Sequence, residues 1–163
     1  MSKETINQKT IKSLNEIKLV GFRVLCEGEK YIEEIPKAAR LLKERSGEIK
    51  NVLDLEQQIG SFVVEESTPD EDGYWIGVQV EEYEDIPEGM VTLNIPSQKY
   101  AAIIHHGPND RIRSSYEELH QWISEQGLKR AIQGWNLEVY QKENNPENPG
   151  DVRVELLDSI SDD

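Results

Sequence analysis

The sequence predicts an α+β fold made of a duplicated β-α-β-β unit. Two pseudo-two-fold related halves are expected, with antiparallel sheets, helices and a ligand cleft between the halves. The order strand, helix, strand, strand occurs twice in 163 residues, and the segment from Lys18 aligns weakly with the segment from Lys99. A single half would be too small to bury its helix and sheet faces. We therefore expect one domain over 17–160, with halves at about 17–84 and 90–160.

The first half opens with a strand-like run over 17–26, and a helical stripe of apolar residues follows it. Pro36 lies inside this stripe and predicts a regular helix that begins there, with proline at its first position. Strands are then expected at Ser61–Glu66 and Tyr74–Tyr83, around a turn rich in turn-forming residues. Residues 1–16 are mixed polar, and we expect a loose tail or a lead-in to the first strand.

The second half repeats this order. Strands are expected at Met90–Ile95, where Pro96 stops the strand, and at Lys99–His106. A clean apolar stripe then predicts a helix that ends near Gly127. The stripe consists of Ile112, Tyr116, Leu119 and Ile123. Two strands, Trp135–Lys142 and Val152–Leu157, complete the half.

The charge of the chain is strongly negative and unevenly placed. The net charge is −14, and the segment 51–98 contains twelve carboxylates but no Lys or Arg. Such acidity disfavours direct binding of nucleic acid. The acidic segment is typical of solvated strands and loops, but it could also attract cationic ligands or a protein partner.

The location of the protein follows from what the sequence lacks. No run approaches the length of a membrane-spanning helix, and the first residues contain no apolar signal region. We therefore expect a cytoplasmic protein that makes no contact with a membrane.

The sequence offers no metal or cofactor motif. Cys26 is the single cysteine, which excludes a cysteine-cluster metal site. His105 and His106 are adjacent on a predicted strand, so their side chains point to opposite faces and cannot share one metal. No glycine-rich phosphate loop or nucleophile elbow is present. We expect neither a metal nor a cofactor.

The strand that begins at Trp135 carries the most informative residue. Alternation places Trp135, Leu137 and Val139 on one face of the sheet and Asn136, Glu138 and Tyr140 on the other. On alternation alone, Glu138 faces solvent. If a groove enclosed it, a carboxylate beside a tyrosine would suit an organic cation, because the charge pairs with the carboxylate while the rings stack on the apolar body.

Several motifs together resemble the gyrase-inhibitor-like (GyrI-like) effector-binding domains. The central one is Pro87–Gly107, with a Pro-x-Gly, an Ile-Pro-x-x-x-Tyr-Ala and a closing Gly. The strand 74–80 precedes it, and the helix 119–127 and the Glu-x-Tyr strand 137–140 follow in the family's order. The resemblance covers 17–160.

This resemblance implies a duplicated β-α-β-β fold with a ligand cleft. Many relatives are effector modules of AraC-type or MerR-type multidrug-responsive regulators, and others stand alone. The glutamate that meets a cationic drug would here be Glu138. Because the sequence shows no DNA-binding module, we expect a stand-alone binding protein for aromatic or cationic small molecules, linked to transcription regulation or toxin resistance. The expected ligand-binding residues are Glu138, Tyr140, Tyr100 and Trp75.

Two alternatives remain open at this stage. Some similar proteins hydrolyse cyclopropane-bearing alkylating compounds, and in that case Glu138 would act as general base or acid. No other catalytic residue can be assigned, so the sequence leaves open whether the protein is an enzyme. In the second alternative, the acidic segment 51–98 would bind a protein such as gyrase or a regulator.

Overall fold

A computed structural model describes residues 8–65, 68–69, 72–141 and 152–161. The described residues form eight strands and two helices. These elements are β1 Thr10–Leu14, β2 Ile17–Val24, α1 Tyr31–Arg45, β3 Gln58–Val63, β4 Tyr74–Val80, β5 Val91–Ile95, β6 Gln98–Gly107, α2 Ile112–Glu125, β7 Trp135–Tyr140 and β8 Val152–Ser159.

All eight strands belong to one antiparallel sheet, in the order β1-β6-β8-β7-β3-β4-β2-β5. Exchanging β1 with β5, β2 with β6, β3 with β7 and β4 with β8 reverses this order, as a two-fold relation centred between β3 and β7 requires. The predicted α+β class with antiparallel strands and helices is therefore confirmed. The two halves share one continuous sheet instead of forming separate sheets.

The edge strands of the sheet are exchanged between the halves. β1 precedes β2 in sequence but pairs with β6, where Thr10 lies opposite Ala102. β5 precedes β6 but pairs with β2, where Ile95 lies opposite Ile17. The repeating unit therefore includes a leading strand, and part of the segment 1–16 is that strand in the first half.

Helix α1 begins at Tyr31, five residues before the predicted start. The expectation that Pro36 opens the helix is wrong. Proline removes the hydrogen bond that its nitrogen would donate to the carbonyl of Ile32 and crowds that carbonyl, and apolar packing of the helix outweighs this cost. Ala39 and Leu42 are buried against β2 and β4 and supply this packing.

Helix α2 matches its predicted stripe, with Leu119 and Ile123 fully buried against β6 and β8. It ends before Gly127, whose φ of +72° lies in the left-handed region that glycine adopts without strain. β3 lies three residues earlier than predicted. Glu66 and Lys142, the predicted last residues of two strands, lie outside the described residues. Within the described part of the chain, no helix is long and apolar enough to cross a membrane.

The two helices lie on the same face of the sheet, which we call the helix face. α1 packs on β2 and β4, and α2 packs on β6. A row of residues on this face joins the two sides: Ile76, Gly60, Glu138 and Leu156 lie opposite one another on adjacent strands. On this face the central strands β3 and β7 therefore lie between α1 and α2, and we call the region over them the inter-helix groove.

Candidate functional site

Glu138 lies on β7 at the centre of the inter-helix groove. Its residue is only 8% exposed, so the expectation from alternation alone that it faces solvent is wrong. The alternation itself is correct, because Asn136 and Tyr140 share the helix face with Glu138, whereas Leu137 packs on the opposite face. Glu138 is buried because the flanking helices and several tyrosine rings cover this face.

Three tyrosine hydroxyls surround the Glu138 carboxylate, and we call this set the tyrosine cage. Tyr74 of β4 donates to Oε1 at 2.6 Å, and Tyr116 of α2 donates to Oε2 at 2.8 Å. The hydroxyl of Tyr140 lies 2.9 Å from that of Tyr74 and 3.4 Å from Oε1. The cage therefore joins both halves of the chain at one carboxylate.

Each phenol has a single proton, which limits what the cage can donate. Tyr74 makes the shortest contact to the carboxylate and places its proton there. Tyr140 then donates chiefly to the Tyr74 oxygen, its nearer acceptor. Glu138 thus receives one strong hydrogen bond on each oxygen, from different elements of the fold.

Gly60 makes the bond from Tyr74 possible. It lies directly opposite Glu138 in the pairing of β3 with β7. A Cβ atom built on Gly60 would lie 1.7 Å from the Tyr74 hydroxyl oxygen. Any side chain at this position would therefore occupy the space through which Tyr74 reaches the carboxylate.

Aromatic rings form the walls of the site. Phe62 stacks on Tyr74 with ring centroids 6.1 Å apart, and it meets Tyr116 edge-to-face at 6.3 Å. Phe62, Tyr116 and Tyr140 are half-buried, so the rings reach from the carboxylate to the surface. Such rings can stack on a flat apolar ligand and attract a positive charge.

The phenols of the cage remain protonated under ordinary conditions. Burial raises the pKa of Tyr74 and of Tyr116 well above the usual range, and the negative charge of Glu138 adds to the effect. Burial and the same carboxylate also raise the pKa of Tyr140. The cage consequently supplies neutral hydroxyl donors and no competing anion.

A second buried carboxylate lies nearby but is already neutralised. Asp158 of β8 accepts hydrogen bonds from Arg130 at 2.8 Å and from Asn136 at 2.7 Å, and His120 Nε2 lies 3.1 Å from it. Burial alone would raise the pKa of Asp158, but His120 and Arg130 lower it below the ordinary value. Among the described residues, by contrast, Glu138 has no ion-pair partner.

The structure brings together only two of the four predicted ligand-binding residues, Glu138 and Tyr140. Trp75 and Tyr100 are buried on the opposite face of the sheet. The ring of Trp75 packs edge-to-face on Trp135 at 5.1 Å, and Tyr100 belongs to the apolar cluster on that side. They do not form walls around Glu138, because strand alternation directs them away from it.

Four residues of the site were not predicted: Tyr74, Tyr116, Phe62 and Gly60. Tyr116 lies in the apolar stripe of α2 and is indistinguishable there from a core residue. Tyr74 precedes Trp75, and the neighbouring tryptophan is the more conspicuous aromatic. Only knowledge of the pairing between β3, β4 and β7 brings these residues together.

The other candidate groups are placed as follows. His105 is buried, with Nδ1 2.7 Å from Ser115 Oγ and Nε2 3.1 Å from the Pro108 carbonyl oxygen, while His106 is exposed. Within the residues that can be described, no group of His, Cys, Asp and Glu could hold a metal ion.

In the acidic segment 51–98, the carboxylates just after β4 are exposed. These are Glu81, Glu82, Glu84, Asp85 and Glu88.

The antiparallel sheet, the two helices on one face and the caged carboxylate belong to an effector-binding domain, as a match to a family model shows. The family model of the integron-associated effector binding proteins, Cass2, matches residues 10–157. The chain belongs to this family. The transcriptional regulator BrlR of Pseudomonas aeruginosa is 35% identical over 68 residues, which are 41% of this chain and 25% of BrlR. The chain therefore spans about a quarter of that relative's length.

Solved structures with the same fold cover nearly the whole chain. SAV2435 bound to tetraphenylphosphonium superposes with a TM-score of 0.69 at 18% identity, over 95% of this chain and 94% of that one. The C-terminal domain of EcmrR gives 0.66 at 17%, over 96% and 98%. A hydrolase from Listeria innocua gives 0.58 at 14%, over 98% and 96%. At these identities the likeness shows the fold alone.

Proposed function

We propose that this chain binds aromatic organic cations in the inter-helix groove, with Glu138 as the counter-charge. The observation that carries the proposal is a buried carboxylate that lacks a cationic partner among the described residues, although the nearby Asp158 is paired with Arg130. Burying an unpaired carboxylate is costly, and hydroxyl donors offset only part of that cost. A bound cation would supply the missing positive charge.

The walls of the groove favour a ligand with aromatic groups over a small inorganic ion. Phe62, Tyr116 and Tyr140 offer ring faces and edges at the surface. Cations over such rings gain from the ring quadrupole, most strongly where water is excluded. SAV2435, which shares the fold, has been solved with tetraphenylphosphonium, a cation of this kind, and this cation is therefore a suitable first ligand.

The test is calorimetric titration of the protein with tetraphenylphosphonium. We expect binding by the wild type and at least a tenfold loss for Glu138→Gln, because the amide keeps the shape but removes the charge. Glu155→Gln is the matched control, since Glu155 lies next to Val139 in the strand pairing but on the opposite face, bonded to Lys12. It should bind like the wild type.

A neutral analogue of the ligand provides one further measurement. The neutral analogue triphenylphosphine oxide should bind much more weakly than the cation. Equal affinity of the wild type and Glu138→Gln for tetraphenylphosphonium would contradict the proposal. An equal loss for Glu155→Gln would show that the net charge of the protein, and not the caged carboxylate, attracts the ligand.

The proposal also includes a biological role for ligand binding. BrlR is named a transcriptional regulator, and EcmrR has been solved in a complex with DNA. We infer that ligand binding by this domain serves transcription regulation or toxin resistance, in keeping with the gyrase-inhibitor-like resemblance. Induction of a neighbouring gene by tetraphenylphosphonium in cells, lost in Glu138→Gln, would support this role.

A second candidate is hydrolysis of cyclopropane-bearing alkylating compounds. The favouring observation is the contact of Tyr74 and Tyr116 hydroxyls with the Glu138 carboxylate, a group able to take a proton from water. Incubation with such a compound should give a ring-opened hydrate, detected by mass spectrometry, from the wild type and not from Glu138→Gln. Product at the buffer rate would dismiss this candidate.

A further inference from the structure

The two oxygens of Glu138 are held by parts of the fold that differ in how easily they can move. Oε1 is bound by Tyr74, and Oε2 is bound by Tyr116. Tyr74 stands on β4, which is paired on both sides by β2 and β3. Tyr116 stands on α2, a surface helix that packs on β6.

Tyr74 is locked in place by its surroundings. Its residue is 6% exposed, its ring stacks on Phe62, and its hydroxyl fills the space over Gly60. The Tyr140 hydroxyl contacts it from the other side at 2.9 Å. To release Oε1, the ring would have to leave this packed position in the middle of the sheet.

Tyr116 is held less firmly. It is half-buried, meets Phe62 only edge-to-face, and tilts against His120 on the next turn of α2 with ring centroids 5.9 Å apart. A change of its side-chain rotamer would free Oε2 and leave both the sheet and the packing of α2 intact.

We propose that Tyr116 is an internal competitor for the ligand, and that a cation must displace its hydroxyl from Oε2, whereas Tyr74 is a fixed donor that orients the carboxylate through Oε1. This inference rests on the proposed function and assigns different roles to two tyrosines of one cage. It makes Tyr116 a determinant of affinity and places the ligand-dependent change on α2.

The test compares tetraphenylphosphonium binding by Tyr116→Phe, Tyr74→Phe and the wild type. Removing the competing hydroxyl should tighten binding by Tyr116→Phe about three- to tenfold, the usual effect of one hydrogen bond. Tyr74→Phe should weaken binding, because Oε1 loses its orienting donor. Tyr83→Phe is the control, since its hydroxyl bonds the Leu93 carbonyl at 3.0 Å, outside the cage. It should leave the affinity unchanged.

A double-mutant cycle decides whether the effect passes through Glu138. In the Glu138→Gln background, Tyr116→Phe should give no gain in affinity. Weaker binding by Tyr116→Phe than by the wild type would overturn the inference while leaving the proposed function intact. Absence of binding by the wild type would overturn both.

A measurement on the unmodified protein gives an independent readout. Hydrogen exchange of backbone amides, followed with and without tetraphenylphosphonium, should change most around Tyr116 in α2 and least in β4. Unchanged exchange in α2 under saturating ligand would overturn the inference even if the variants failed to fold.

Discussion

At the scale of single residues, the candidate site depends on a pair that faces each other across β3 and β7. Glu138 supplies the charge, and Gly60 supplies the empty volume that Tyr74 fills. The pairing places the smallest residue opposite the carboxylate, so that a side chain from a third strand can reach it. The geometry of the cage is therefore determined as much by a missing side chain as by those present.

Gly60→Ala should disrupt the cage. The new Cβ would overlap the Tyr74 hydroxyl, and the ring cannot withdraw without losing its packing on Phe62. We expect a destabilisation of about 2 kcal/mol from overpacking and from the lost hydrogen bond. Urea unfolding measures it, with Gly28→Ala as the control because a Cβ at Gly28 meets no atom within 4 Å. Equal stability of Gly60→Ala and the wild type would refute this account.

The sequence predicted Glu138 and Tyr140, which the structure brings together, but it did not predict their surroundings. Both lie on one strand, so alternation and resemblance were enough to pair them. Trp75 and Tyr100 were chosen as conspicuous aromatics, and no periodicity in one strand reveals which face of the sheet another strand's side chains share. That information lies in the register between strands distant in sequence.

At the scale of elements, Asp158 connects the parts of the second half. It joins β8 to α2 through His120, to the segment after α2 through Arg130, and to β7 through Asn136. The Asn136 side-chain oxygen also accepts from the Ser159 backbone at 2.8 Å. The middle of α2, one turn beyond Tyr116, is thereby bound to the sheet by a charged network.

Asp158→Asn should destabilise the protein at neutral pH by about 2 kcal/mol, because Arg130 would lose its buried counter-charge. The stabilisation that the Asp158 carboxylate provides decreases as the pH falls. The pKa of Asp158 is lowered in the folded state, so its stabilisation is complete above the ordinary value of 3.8 and is lost as the pH falls through the lowered pKa. Urea unfolding at pH 7 and pH 3 should show the difference between variant and wild type shrinking in acid.

Asp85→Asn provides the comparison for this experiment. Asp85 pairs with Lys50, but both side chains are largely exposed, and exposed pairs contribute little to stability. It should unfold like the wild type at both pH values. A destabilisation by Asp158→Asn that stays constant from pH 7 to pH 3 would argue against a role for its charge.

The elements themselves were largely predictable, and their errors have local causes. The apolar stripe of α2 and the glycine after it define that helix. The start of α1 was misplaced because Pro36 is tolerated after the first turn once Ala39 and Leu42 are buried. β1 lies in the segment predicted as a loose tail or a lead-in to the first strand, because its mostly exposed residues show no alternation typical of a strand.

At the scale of the whole molecule, each half takes the edge strand of its side of the sheet from the other half. β1 lies beside β6 of the second half, and β5 lies beside β2 of the first. The halves also meet along β3 and β7, where the inter-helix groove is built. Folding of either half is therefore coupled to the presence of the other.

Cutting the chain in the exposed segment before β5 should test this coupling. Fragments 1–86 and 87–163 should each be largely unfolded alone, because each exposes the unpaired edges of the sheet. Mixed at equal concentration, they should regain the sheet, as followed by circular dichroism, together with tetraphenylphosphonium binding. A stable, cooperative unfolding transition for either isolated fragment would contradict the prediction.

The exchange of edge strands also has a consequence for synthesis on the ribosome. Thr10 finds its partner Ala102 only 92 residues later. At roughly 5–20 residues per second, β1 emerges and waits about 5–18 seconds before its neighbour exists. The four leading residues of β1 are exposed even in the finished sheet. Three of these four residues, Thr10, Lys12 and Ser13, are polar, and they let the nascent strand remain in water during that interval without pairing with another strand edge.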